Sequence, residues 1–259
     1  MTLPKLEGKI TIAAGNIITI QEFGGAAGPE AVTLTTGDFF WSTLDADDTM
    51  LDSIADDLTD NAVLGGTYAL ALDDSTGKIT ISASGGGVTS FTITWTSTAI
   101  RDLLGFAPGD TVSGALTYTG SEQAEYLWLP NVVRANPTAP DGDLGHEISD
   151  FTITFAPSGH TKRLAFTRRF VGNLEFRHVV ASKMFITHET TANSSLQKFW
   201  RDVISLGKDV RYYKDRATDN TFVDLVIVDG GTFNPTPLNE GWEGAASLWS
   251  WGSEVVEAK

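Results

Sequence analysis

Cysteine is absent from this 259-residue chain. That excludes disulfides and thiolate metal sites, and with them the small stapled secreted scaffold. Long apolar runs are absent too, so no segment reaches the roughly 18 residues that a membrane-crossing helix needs. The early bases Lys5 and Lys9 precede "ITIAAGNIITI", which alternates and is broken by Gly15 and Asn16. This reads as strand–turn–strand, not as the apolar core of a leader. Basic side chains are scarce: 18 Lys and Arg stand against 33 Asp and Glu, a net charge of −15. The shortage is uneven. Residues 1–130 hold 17 acids and 4 bases, residues 131–259 hold 16 and 14. An acidic first half repels nucleic acid and anionic membranes and favours solubility.

Catalytic signatures are missing as well. There is no G-x-S-x-G elbow, no Walker loop and no H-E-x-x-H. The loop Gly24–Pro29 is glycine-rich but lacks the Lys–Ser/Thr pair of a phosphate cradle. His146, His160, His178 and His188 read as structural. His178 and His188 are placed on one strand, about 33 Å apart if it is extended, too far to share a metal. The acids around Asp45–Asp57 lack the glycine and closing glutamate of a calcium loop. The sequence therefore predicts no catalytic residue, no cofactor and no metal. Carboxylates brought together from distant strands for glycoside cleavage remain a third, weaker reading.

Strand-forming composition is what the chain has in quantity. Thr, Gly, Val, Ile and aromatics dominate, helix formers are few, and 41% of residues are hydrophobic, enough for a full core. The expected fold is mainly β: sandwich- or barrel-like domains with two short flanking helices, about 43–60 and 194–206. In the first, Leu44, Met50, Leu51, Ile54, Ala55 and Leu58 recur at the helical period, with Asp45, Asp47 and Asp48 at the N-terminal end of the dipole. In the second, Ser194 or Ser195 caps a stripe of Leu196, Phe199, Trp200, Val203 and Ile204, and Gly207 ends it. "TYALALDDSTGKITISAS" reads as two alternating strands around a turn with Gly77 left-handed. Pro137 and Pro140 mark a boundary near 135–148, separating an acidic α+β unit, 1–135, from a β-sandwich, 145–259.

Two aromatic groups stand out. Arg211, Tyr212 and Tyr213 loosely resemble a nucleic-acid groove, but the overall acidity favours solvated strands or inter-subunit contacts. Trp242, Trp249 and Trp251 fit a packed terminal strand or an interface, with a sugar-stacking platform as the alternative. All six are candidate interface residues.

Two stretches carry a family resemblance. "TGDFFWSTLDADDTMLDSIADDL", followed by "YALALDDSTGKITISASG", "FTITWTS" and "LLGF", resembles a module of tailed-bacteriophage virion proteins. "GKDVRYYKDRATDNTFVDLVIVDGGTFNPTPLNEGWEGAASLWSW" resembles the C-terminal hairpin and closing strand of distal-tail and tail-tube proteins. Together they span about half the chain. The resemblance implies a structural subunit of a tail, baseplate or tube that assembles around the tail channel. Its helix would be Leu196–Leu206, its hairpin Arg211–Asp215 with Phe222–Val228. It implies a ring of identical copies, hexameric or trimeric, with other tail or baseplate proteins as partners. No membrane anchor and no sequence-specific nucleic-acid binding are expected. The location implied is the virion, after assembly in the host cytoplasm. The contrasting reading is a carbohydrate- or receptor-binding β-sandwich module.

Overall fold

The structure is a computed structural model. It describes residues 3–24, 28–42, 49–110, 112–131, 145–155, 160–189, 191–213, 216, 222–227, 232–238 and 247–257. Asp45, Asp47 and Asp48, most of the 135–148 boundary and Trp242 lie outside the described residues, while the first helix starts at Met50 behind an extended Thr49 cap, later than the expected 43.

The chain is mainly β, as expected. In order the strands are β1 Lys5–Gly8, β2 Ile10–Ile12, β3 Ile17–Phe23, β4 Glu30–Thr33 and β5 Gly37–Phe39. Helix α1, Met50–Thr59, precedes β6 Thr67–Asp73, β7 Lys78–Ser84 and β8 Ser90–Thr94. Helix α2, Thr98–Leu103, precedes β9 Ser113–Ala115, β10 Thr117–Thr119 and β11 Leu127–Trp128. Then come β12 Gly145–Phe155, β13 His160–Val180, α3 Ala181–Met184 and α4 Leu196–Phe199. The chain closes with β14 Val210–Tyr213, β15 Phe222–Ile227, β16 Thr236–Pro237 and β17 Leu248–Glu257.

Three smaller sheets occupy the first half: β4-β3-β8-β9, β10-β7-β6 and β2-β5. Their inward residues alternate, as period-2 strands dictate. Ile18 and Ile20 of β3, Ile79 and Ile81 of β7, and Phe91 and Ile93 of β8 are buried in one cluster. Helix α1 lays Met50, Leu51, Ile54 and Leu58 on it. Thr49 is the N-cap: its Oγ1 accepts from the Asp52 backbone N–H at 2.9 Å and also bonds the Asp52 carboxylate. The β6–β7 hairpin turns at Gly77 with φ +72°, as the sequence predicts.

The large sheet runs β11-β1-β14-β15-β17-β13-β12, with β16 on β17. Two of its strands, β1 and β11, come from the first half of the chain. The expected partition at 135–148 therefore meets a sheet built from both sides of it. The four boundary residues 145–148 are the start of β12. Leu6 and Trp128 join Leu174, Phe176, Val210 and Leu225 in a second core. Covering that core, α4 continues into a π turn, Trp200–Ile204, and buries Leu196, Phe199, Val203 and Ile204. Ser195 caps it through Lys198 N–H at 3.3 Å, and Gly207 leaves it with φ +66°.

The expected strand through His178 and His188 is shorter. One extra residue bulges between Phe176 and Val179, with His178 at φ +62°, and β13 ends at Val180. His188 closes a separate 3-10 turn. Local alternation hides this, because a bulge preserves the apolar pattern on either side while re-aiming the chain.

Gly8 ends β1 hard against the π turn at Val203. A Cβ there would meet Val203 Cγ2 at 2.5 Å. Gly8→Ala should cost about 1–3 kcal/mol by overpacking. Val203→Ala in the same chain should return part of that loss, and urea melts of the single and double variants check it.

Candidate functional site

β1 alternates like any strand, so Leu6 faces the second core while Lys5 and Glu7 share the opposite face. β14 does the same: Val210 points to the core, Arg211 and Tyr213 to the face of Lys5 and Glu7. The segment Phe40–Ser42, from the first half, lies across that face. The result is a buried polar junction between the two halves.

Lys5 and Glu7 are both fully buried. The Lys5 ammonium donates to Ser42 Oγ at 2.8 Å and Asp74 Oδ1 at 2.8 Å, and pairs with Glu7 Oε1 at 3.1 Å. It also sits 4.4 Å from the centre of the Tyr213 ring. Glu7 accepts from Ser42 Oγ at 2.7 Å and Ser42 N–H at 3.1 Å. Burial pushes its carboxyl above the ordinary range, against the opposing pull of Lys5 and Ser42. The Tyr213 hydroxyl donates to the Ser42 carbonyl at 2.9 Å and lies 3.4 Å from Glu7 Oε2.

Arg211 completes the junction. Its guanidinium forks onto Asp224 at 2.7 and 3.1 Å and donates to the Ser42 carbonyl at 2.9 Å. Phe40 and Phe222 lie 4.0 and 3.8 Å from its central carbon. A planar cation with five donors suits this slot, where a lysine would lose both the fork and the stacking. The charges therefore satisfy one another. A hydrogen-bonded ion network of this kind holds geometry.

A second tie runs alongside. Gln123 Nε2 donates to the carbonyls of Leu127 and Asn193 at 2.7 and 2.9 Å, and Asn193 Nδ2 returns a bond to the Gln123 carbonyl at 2.9 Å. In the first half, Glu22 is buried and accepts from Gly65 N–H, Gly66 N–H and Tyr68 OH, each at 2.9 Å.

The six candidate residues divide between these places. Arg211 and Tyr213 belong to the junction. Tyr212 points to the second core, where burial pushes its phenol up to about 12. Trp251 is buried and stacks on Phe176 at 6.4 Å. Trp249 is half-buried, meets Phe185 edge-on at 4.7 Å and spends its indole N–H on Ser247 Oγ at 2.9 Å. Trp249 and Trp251 thus pack against the core, not as an open sugar platform. Lys5, Glu7 and Ser42 escape a motif-based reading. Their one signal is an acid and a base two apart on a short strand, which must share a face.

Among the described residues no group of three or more His, Asp or Glu side chains gathers as metal ligands would. No protein-family model and no curated protein matches the chain. Among solved structures it is similar to the mavirus penton protein, at 10% identity over 99% of this chain and 86% of that one. The TM-score is 0.27, a superposition too loose to carry an argument about fold or function.

Proposed function

We propose that the chain is a non-catalytic structural subunit of a virion, placed in the tail of a tailed bacteriophage as a distal-tail, baseplate or tube ring component. The observation that supports this reading is the arrangement of its C-terminal half. The helix from Leu196, the β14–β15 hairpin and the closing strand β17 come together around one core, in the order that the tail-protein resemblance implies. The network at the junction serves rigidity, which an assembling subunit needs. The charge split orients the ring: the mixed-charge second half forms the inner collar, and the acidic first half lies outward, where the acidic halves are further apart, screened from one another over about 8 Å at physiological salt, and open to the bases of a neighbour's second half. A closed channel requires head-to-tail contacts, so the symmetry is cyclic.

Purified protein at high concentration, examined by light scattering and negative-stain imaging, should form rings or short tubes. Monodisperse monomers that bind glycans would overturn this in favour of the carbohydrate-binding module.

A further inference from the structure

The most unusual feature of the large sheet is its far end. β12 and β13 pair over Gly145–Phe155 and His160–Val171, whereas β17 begins to pair with β13 only at Val171. The hairpin therefore runs on past the sheet by about ten residues per strand, on the order of 33 Å. Among the described residues no strand pairs with the outer edge of β12 or with the free edge of β13 from His160 to Phe170. The substantial packing of β12 is with β13 alone. An isolated two-stranded hairpin is marginal in water, and two long unpaired edges are templates for another strand.

Charge says which partner fits. From Gly145 to Val171 the arm carries Lys162, Arg163, Arg168 and Arg169 against Glu147 and Asp150, a net of two positive charges. The first half of the same chain carries 17 acids against 4 bases. Two arms lying side by side would set like charges together, which disfavours an arm-to-arm pair. The acidic half of another copy is the complementary surface. It offers exposed Asp56 on α1, exposed Asp60 at its C-cap, and the outer strands β4 and β6.

We propose that the β12–β13 hairpin is an assembly arm, which adds its edge to the acidic first half of a second copy of this chain. The mode is strand addition: main-chain bonds give affinity and the charge pattern gives direction. The contact is head-to-tail, so repetition closes a ring or extends a tube. This deepens the ring reading above and rests on it.

The test compares three forms of the full chain by sedimentation and negative-stain imaging. They are the wild type, the charge reversal K162E/R163E/R168E/R169E, and a chain in which Gly145 joins Val171 through two glycines. Circular dichroism and melting first establish that each is folded; if the shortened chain fails there, the charge reversal carries the test. The wild type should assemble, and should loosen in 0.5 M sodium chloride by roughly tenfold or more, as surface ion contacts do. The charge reversal should remain monomeric at concentrations where the wild type assembles. Rings that persist in the folded charge-reversed chain overturn the arm and leave the ring reading standing. Arm-dependent dimers without rings support the arm and sink the ring. A wild type that is monomeric throughout overturns both.

Discussion

Lys5→Ala should lower the stability of the chain by about 3–5 kcal/mol, the cost of stranding a buried charge whose partner is gone. Lys5 supplies the positive charge against Glu7 and Asp74, with Ser42 between them. Removing it leaves Glu7 fully buried with only neutral donors. The pH dependence identifies the mechanism. The folded-state pKa of Glu7 is raised, so its stabilising contribution is complete below the unfolded value near 4.5 and is lost as pH rises through the folded value. Lys5→Ala raises that folded value further, so the deficit should be smallest near pH 4.5 and grow toward neutrality. Glu7→Gln in the Lys5→Ala background should flatten this dependence. Replacing both charges by apolar residues, Lys5→Met with Glu7→Leu, should recover much of the loss. Urea melts across pH 4.5–7.5 measure all three variants against the wild type. A Lys5→Ala deficit that does not vary with pH would show that the loss is packing, not charge.

Trp128→Ala should cost about 3–5 kcal/mol as a large-to-small change in a closed core. Trp128 is fully buried, meets Phe176 edge-on at 4.8 Å and donates its indole N–H to the Lys183 carbonyl at 3.0 Å. Its neighbour Leu127 is buried in the first core, so this two-residue strand faces both. The variant should therefore loosen the union of the halves as well as the second core, and unfolding should separate into two transitions. Trp200→Ala is the control. Trp200 is only half-buried and its indole nitrogen has no partner, so its removal forfeits packing on one side and no hydrogen bond. Its loss should be clearly smaller. Equal losses would place Trp200 and Trp128 in equivalent surroundings, contrary to the structure.

The aromatic candidates show where sequence reading stops. Trp249 and Trp251 lie two apart on one strand and so face one way, which the sequence shows. Whether that way is inward depends on what covers the sheet. Here α4 and Phe185 cover it, and a sugar platform and a core wall share one pattern until then. The charged pair fared differently. Lys5 and Glu7 look like solvated residues near a chain end, because charges are almost always exposed. Only the arrival of Phe40–Ser42 and the Asp73–Asp74 turn over β1 buries them.

The sequence by itself determined the local elements of this protein. Two-residue alternation set which side of each strand is apolar, Ser195 set a helix start, and Gly77 and Gly207 set turns that need a left-handed backbone. These are contests between near neighbours, decided by sterics and hydrogen bonds within a few residues. The tertiary structure alone decided that β1 sits between β11 and β14, some 120 and 200 residues away. Strand pairing uses backbone groups that every residue carries alike, so the choice of neighbour comes from which apolar faces can close over one another. That choice created the buried junction and, among the described residues, left the outer edges of the β12–β13 arm unpaired.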